Sequence, residues 1–377
     1  MRWLTDVRLP TAPGLWRIGL DAEDCIAAVR ALPAGSAATG ANWGGDWLSP
    51  AGVDLQINGG LGLAFPELTP ADLPRLLELL ELLWRDGVEA IAPTLVTCGV
   101  AELRQALAVL RQARGQHQPG RCRLLGAHLE GPFLAEARRG AHPRQHLAAP
   151  SLAALEERIA GFETEITLVT LAPELAGAEA VIEALCDRGI LVSLGHSEAT
   201  EQQAAAAFAQ GVGMVTHAFN AMAGLHHRNP GPIAAAALRG DVALGLIADG
   251  VHVAPSMAVL LQRLLPQQVL LVSDALAPYG LADGVHRWDE RALIVEQGSC
   301  RLEDGTLAGV TLPLLEGVRR LARWSGDAER AIAAATVLPR RLLGEPNPIE
   351  EQLLGLPLGE TLRWSGTAEA LRWCRAT

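Results

Sequence analysis

Two histidines define the chemistry open to this chain. His196 lies in Leu194-Gly195-His196-Ser197, and His217 follows 21 residues later in Thr216-His217-Ala218-Phe219-Asn220-Ala221-Met222. Each comes after a short apolar run, Ile190 to Leu194 and Val212 to Val215. Between them Glu198 to Gln210 is alanine-rich, a composition of high helix propensity. The spacing predicts strand, helix, strand, with one imidazole at the carboxyl end of each strand. Consecutive strand ends of a βα repeat lie side by side, so both rings can face one small volume. Two neutral imidazoles so placed are a metal site in waiting. The pair alone fits two hydrogen-bonded core histidines equally well; the strand-end position is what favours a metal.

The other polar residues with catalytic capacity fall at the same ends. Asp54, Gln56 and Asn58 line the first expected strand, and Glu130 follows the third. Asp249 and His252 follow the seventh, and Asp274 follows the eighth. Glu130, His196 and His217 make a His₂Glu set, and three protein ligands plus an open position are how a catalytic zinc is held. Water bound there ionises near neutrality. Asp274 is the remaining strand-end carboxylate, able to take that proton and deliver it to a leaving amine. Singly, Glu130 fits a loop residue before a Gly-Pro turn and Asp274 fits a helix N-cap. Their joint place on one ring favours a site.

The elements that must position these residues show a regular rhythm. Strands are expected at Val53–Asn58, Val88–Val96, Cys122–His128, Ile166–Leu171, Ile190–Leu194, Met214–Thr216, Val242–Ala248 and Val269–Ser273. Helices are expected between them, among them one capped by Thr69 with Pro70 at its first position and stopped by Gly87. Eight strands alternating with helices over roughly 220 residues predict an α/β fold, a (β/α)₈ TIM-like barrel spanning 52–343. Beyond strand eight a hairpin is expected at Arg291–Val295 and Ser299–Leu302, then helices at Leu312–Trp324 and Ala328–Leu343. Residues 1–51 read as irregular with short β-like runs, and 344–377 carry strand-like runs after several prolines. Together they are expected to form a small β module.

Composition bounds the partners. The chain has 377 residues, 49% of them hydrophobic, and a formal charge of −11, which argues against nucleic acid and anionic membrane surfaces. An anionic ligand would need a local arginine. The six cysteines are scattered with no CxxC pair, as expected of a cytoplasmic protein without a cysteine metal site. The N-terminal segment has no signal-peptide character, and the most apolar helix, Leu73 to Trp84, is interrupted by Arg75, Glu78 and Glu81.

Several motifs occur in order: His-Leu-Glu-Gly-Pro-Phe (128–133), Gly-Ala-His (140–142), Leu-Ala-Pro-Glu (171–174), Gly-His-Ser (195–197) and Thr-His-Ala-Phe-Asn-Ala-Met (216–222). Ala-Asp-Gly-Val-His (248–252), Val-Ser-Asp-Ala (272–275) and Asp-Gly-Thr-Leu-Ala-Gly (304–309) follow. Over about residues 50–343 this closely resembles the N-acetylglucosamine-6-phosphate deacetylase family of the amidohydrolase superfamily. The resemblance implies Glu130, His196 and His217 as metal ligands and Asp274 as the acid/base. His252 and His142 would contact the acetamido oxygen as it gains charge. Ala141, Asn220, Ala221, Asp249, Leu307, Ala308 and Gly309 would surround the sugar. Arg228 would bind the phosphate of a phosphorylated N-acetyl amino sugar, reaching across from the neighbouring subunit of a homodimer.

Two departures from the patterns of relatives matter. Asn229 stands where many relatives carry glutamate. Strand one offers Gln56 and Asn58 in place of the His-x-His of two-metal amidohydrolases. One divalent metal per chain is therefore expected, zinc by ligand type, with iron or manganese as alternatives. The galacto epimer is the rival substrate. A non-catalytic scaffold predicts lost ligands, and here all three are present together with Asp274.

Overall fold

The computed structural model describes residues 1–33, 35, 39–289 and 291–377. Its centre is a parallel barrel of β1 (Gly52–Ile57), β2 (Val88–Val96), β3 (Ala127–Glu130, preceded by the short piece Arg123–Leu124), β4 (Ile166–Leu171), β5 (Leu191–Leu194), β6 (Met214–Val215), β7 (Ala243–Leu246) and β8 (Val269–Leu271). Neighbours pair in chain order from β1 to β8. The ring is closed at the β8–β1 seam by single hydrogen bonds. The Asp274 amide donates to the Gln56 carbonyl at 2.8 Å and the Asn58 amide to the Ala275 carbonyl at 2.7 Å. Strands buried on both faces are mostly apolar, and β7 and β8 are apolar and buried at every position; β1 is as fully buried but carries Asp54 and Gln56.

The helices between strands present one apolar stripe to the barrel. In Leu73–Arg85 the buried residues are Leu76, Leu79, Leu80 and Leu83, the spacing of one helical face. Thr69 caps as expected, forming a capping box with Asp72, but around a short 3₁₀ turn, Pro70–Asp72, that precedes the helix proper. Gly231–Arg239 is a helix that the sequence pattern hid behind Gly231-Pro232, which looks like a turn. The single helix expected over 328–343 is two, Ala328–Thr336 and Leu338–Leu342. Pro339 has no amide hydrogen to continue the ladder, so the first helix ends before it.

Residues 1–51 are more regular than expected. Arg2–Leu9, Ala12–Leu20 and Ile26–Leu32 form an antiparallel meander, and Trp47–Ser49 links it to Leu362–Ser365 and Arg372–Arg375 in a separate sheet built from both ends of the chain. The tail also holds a short helix, Ile349–Leu353, that its three prolines concealed. The hairpin beyond β8 is the middle of a four-stranded antiparallel sheet, Gly284–Trp288, Arg291–Glu296, Ser299–Leu302 and Leu307–Val310. Its last strand docks on the barrel mouth, where the Leu276 amide donates to the Val310 carbonyl and the Val310 amide to that of Asp274. Gly309 sits in that contact; a Cβ there would meet the Asp274 carbonyl oxygen at 2.7 Å. Among the described residues no helix is long and apolar enough to cross a membrane.

Candidate active site

Glu130, His196 and His217 converge where β3, β5 and β6 end. Glu130 Oε1 lies 3.2 Å from His196 Nε2 and 3.1 Å from His217 Nε2, and the two nitrogens are 3.1 Å apart. Ligand atoms on a tetrahedral zinc, with bonds of about 2.0–2.1 Å, stand about 3.3 Å from each other. The trio thus has nearly the dimensions of one face of such a tetrahedron.

The hydrogen bonding of His196 strengthens the fit. Its Nδ1 faces the Arg138 carbonyl at 2.8 Å, and a carbonyl only accepts, so Nδ1 carries the proton. In the neutral ring Nε2 is then a bare lone pair aimed at a carboxylate oxygen. That approach is repulsive unless a proton or a cation stands between. Such a carbonyl partner on the far nitrogen is the usual support of a metal-bound histidine.

Local sequence explains how the tripod is held. His196 and His217 have φ of 48° and 27°, and Asp274 has 51°. These left-handed conformations cost of order 1–3 kcal/mol each and collect at functional sites. The turn after His196 is pinned by Glu174, which accepts from Ser197 Oγ at 2.7 Å and from the Glu198 amide at 2.6 Å. This accounts for the Leu-Ala-Pro-Glu motif. The loop after His217 folds back through Asn220 Nδ2, which donates to the carbonyls of His217 and Ala218.

Asp274 stands across the barrel mouth from the tripod. Its Oδ1 accepts from Asn58 Nδ2 at 2.7 Å and from Gln56 Nε2 at 3.3 Å. Gln56 Nε2 also donates to Glu130 Oε1 at 3.1 Å, so the strand-one amides bridge the two carboxylates. Burial, then repulsion from Glu130, pushes Asp274 up to about 6. Burial also acts to raise Glu130, but the imidazoles of His196 and His217 against it outweigh burial and hold Glu130 well below the usual range. In His217 the same contact with Glu130 overcomes burial and raises the ring. Among the described residues His217 Nδ1, Gln56 Oε1 and Asn58 Oδ1 are buried without a partner.

A cavity of about 330 Å³ opens over these groups. It is bounded by Glu130, His196, His217, Asp274 and Asn58, and by Ala141, His142, Asn220, Ala221, His252, Leu307 and Ala308. His142 Nε2 is 3.8 Å from Glu130 Oε2, and its ring is edge-on to His196 at 4.4 Å. Glu130, His142 and His196 therefore form a second buried trio with donors within metal reach. The first trio is tighter, and His142 Nδ1 is engaged with Thr97 Oγ1 at 2.9 Å. Burial and the neighbouring His196 hold His142 down at about 3, so it is neutral.

Four expected residues lie outside the wall of this cavity. Asp249 sits behind His252, accepting from its Nδ1 at 2.7 Å and from its amide at 2.9 Å. Gly309 packs on the backbone of Asp274, and Gln56 lies beneath Asn58. Arg228 is exposed in the 224–230 loop, its Nε on His227 Nε2 at 3.0 Å, and forms no ion pair among the described residues. Sequence reasoning missed Trp288, which lines the cavity from the four-stranded sheet, and Thr97, the partner of His142. Trp288 stands in the hairpin region with no motif around it, and only a lone tryptophan in a polar stretch could have signalled it.

The comparisons with known proteins place this arrangement. The N-acetylglucosamine-6-phosphate deacetylase of Vibrio furnissii is 35% identical over 314 residues, 83% of this chain and 77% of its own. The chain belongs to the N-acetylglucosamine-6-phosphate deacetylase family. A further relative is the N-acetylgalactosamine-6-phosphate deacetylase of Escherichia coli O157:H7, 33% identical over 91% of this chain and 86% of its own. Among solved structures, a mutant of the family enzyme from Mycobacterium smegmatis, in complex with N-acetyl-D-glucosamine-6-phosphate, superposes with TM-score 0.78 at 32% identity. It covers 92% of this chain and 91% of its own. No family model matches the chain. The barrel with its separate terminal sheet is the amidohydrolase fold of these family structures, and a buried Glu-His-His group, Glu130 with His142 and His196, has the donors to hold a metal.

Proposed function

We propose that the chain hydrolyses the acetamide of N-acetylglucosamine-6-phosphate to glucosamine-6-phosphate and acetate, in amino-sugar catabolism. The observation that carries this is the Glu130–His196–His217 tripod facing Asp274 across one cavity. We assign those three residues to one divalent ion, zinc by donor set, with iron or manganese as alternatives. When bound, such an ion supplies Lewis acidity and lowers the pKa of water at the site.

The chain's own residues do the rest. Asp274 takes the proton of the attacking water and hands it to the amine nitrogen as the C–N bond breaks. A carboxyl raised to about 6 is suited to both halves of that exchange near neutral pH. Asn58 and Gln56 fix its orientation. Asp249 accepts the Nδ1 proton of His252, leaving Nε2 to meet substrate. His252 and His142 face the acetamido oxygen. Ala141, Asn220, Ala221, Leu307 and Ala308 surround the sugar, with Gly309 supporting that strand.

Arg228 is assigned to the phosphate, in trans. It is exposed, outside its own chain's cavity and free of ion pairs among the described residues, which suits an arginine that serves a neighbouring copy in a homodimer. A guanidinium fork matches a phosphate dianion. The charge of −11 makes such a local cation necessary and fits a cytoplasmic enzyme without nucleic-acid or membrane partners.

The test is acetate release from N-acetylglucosamine-6-phosphate, with and without chelator, beside its galacto epimer at equal enzyme. Release that is abolished by chelator and restored by Zn²⁺ is expected. The galacto sugar is the second reading, favoured by the Escherichia coli relative, which matches 91% of the chain. Faster turnover of the galacto sugar would select that reading, and no release from either would overturn both.

A further inference from the structure

Directly beneath the tripod, five side chains form one hydrogen-bonded chain across the barrel interior. Ser193 Oγ lies 2.6 Å from Thr216 Oγ1, Thr216 Oγ1 2.7 Å from Thr170 Oγ1, and Thr170 Oγ1 2.7 Å from His128 Nε2. His128 Nδ1 then lies 3.2 Å from Thr94 Oγ1. All five are fully buried. Four come from β5, β4, β3 and β2, Thr216 directly follows β6, and the Ile57 amide of β1 donates to Thr94 Oγ1 at 3.1 Å.

The chain has one direction. Thr94 Oγ1 reaches the Ala92 carbonyl at 3.3 Å, so its proton has an acceptor there and His128 Nδ1–H donates to it. His128 Nε2 then accepts from Thr170, Thr170 from Thr216, and Thr216 from Ser193. Reversed, the Ser193 hydroxyl would have no acceptor among the described residues. Each buried hydroxyl is satisfied only in the first arrangement.

Its members abut the ligands. His128 is two residues before Glu130 on β3, and Thr216 immediately precedes His217. Ser193 is three residues before His196. Thr170 is the cross-strand partner of Glu130, and its carbonyl accepts from the Gly131 amide. The tier is packed tightly enough that a Cβ on Gly195, next to His196, would meet Thr170 Cγ2 at 2.7 Å and Thr216 Cβ at 2.9 Å. The tie thus joins all three strands that carry the tripod and the strand between β3 and β5.

We propose that this buried tie sets the spacing of Glu130, His196 and His217, with His128 and Thr216 as positioning residues for the metal. It rests on the metal reading above. Strand ends in left-handed backbone conformations do not hold their spacing by backbone pairing alone. A side-chain tie one layer below supplies it, as outer hydrogen bonds do for metal ligands generally.

The decisive pair of variants is Thr216→Val, which keeps shape and loses the hydroxyl, and Thr216→Ser, which keeps the hydroxyl and loses a methyl. Zn²⁺ affinity of the full chain is measured by competition with a chromophoric chelator, and the visible spectrum of the Co²⁺-loaded protein reports ligand geometry. Thr216→Val is expected to bind Zn²⁺ about 10–100-fold more weakly with an altered Co²⁺ spectrum, while Thr216→Ser stays near the parent. Equal affinity in the parent and Thr216→Val overturns the proposal, as do equal losses in both variants, which would mark a packing role. Should Thr216→Val be recovered unfolded, Thr170→Val breaks the next link and carries the same expectation. A parent chain that takes up no divalent ion overturns the metal reading itself, which separates that failure from a failure of the tie.

Discussion

Asn58 Nδ2 donates to Asp274 Oδ1 at 2.7 Å across the seam where the last barrel strand returns to the first. The same seam is closed in the backbone by the Asp274 amide on the Gln56 carbonyl. Closing the barrel and orienting the carboxylate are therefore one structural event. Asp274→Asn is expected to keep the metal and lose about 10²–10⁴ in kcat, because it removes a proton carrier and not a ligand. Near-parental kcat would remove Asp274 from the mechanism. Asn58→Leu acts on the same group in the other direction. Hydrogen bonding to the charged carboxylate lowers its pKa, so losing the donor raises it. The carboxylate is needed above its pKa, and the acid limb of kcat/KM should move to higher pH. An unmoved limb would assign Asn58 to packing.

His196→Ala and His217→Ala are expected to lose metal and activity together, with the fold retained. Each removes one corner of the 3.1–3.2 Å tripod. Elemental analysis after desalting is the measurement, and full occupancy in either variant would exclude that residue as a ligand. His142→Ala should retain metal, since His142 Nε2 stands farther out, at 3.8 Å from Glu130. Loss of metal there would favour the Glu130–His142–His196 trio instead.

Much of this geometry was legible in the chain because barrel strands are short apolar runs that end in polar residues. Glu130, His196, His217 and Asp274 each follow such a run, and the fold brings those ends to one ring. What could not be read depends on registers between strands. The tie through His128 and Thr170 exists because His128 and Leu168 are paired and Thr170 stands opposite Glu130, which no local pattern encodes. Trp288 reaches the cavity from a sheet after the barrel, so its role follows from docking at Val310 and not from its neighbours in sequence. The N-terminal meander was obscured because its exposed faces interrupt the apolar alternation.

Arg228→Ala should mainly raise KM for the phosphorylated sugar, with little change for the unphosphorylated one, because phosphate and amide lie at opposite ends of the substrate. Equal effects on both substrates would make Arg228 structural. If Arg228 acts in trans, mixing Arg228→Ala with Asp274→Asn protein should restore activity through heterodimers with one intact composite site. A heterodimer shown to form yet wholly inactive would place the arginine elsewhere.

Asp54 gives a stability prediction. It is buried on β1, its Oδ1 accepting from the amides of Ser273 and Gln56. Burial pushes it up to about 7 despite those hydrogen bonds. The folded chain thus holds this proton more tightly than the unfolded chain, whose carboxyls titrate near about 4. The contribution is fully present below about pH 4 and is lost as pH rises toward about 7. Asp54→Asn keeps the oxygen acceptor and cannot ionise. Metal-free Asp54→Asn should therefore lose less Tm than the parent between about pH 5 and pH 8. Parallel curves would show that the folded chain accommodates the Asp54 anion without cost.

The number of metals follows from strand one. A two-metal amidohydrolase offers two imidazoles two residues apart on the inner face of that strand, as strand alternation requires. Here those places hold Gln56 and Asn58, and their amide nitrogens are already committed to Glu130 and Asp274. Their oxygens, Gln56 Oε1 and Asn58 Oδ1, are buried and unpartnered among the described residues. Neutral amide oxygens are weak ligands for a transition metal beside imidazoles. Asp274 is likewise engaged with the amides and not shared between two ions. We therefore expect one tightly held divalent ion per chain. Replacing Gln56 and Asn58 together by histidine should raise the capacity toward two, since the strand already aims both side chains at Asp274. Elemental analysis of protein purified without added metal and then desalted is the measurement. Two equivalents held by the parent would mean that the amide oxygens complete a second site.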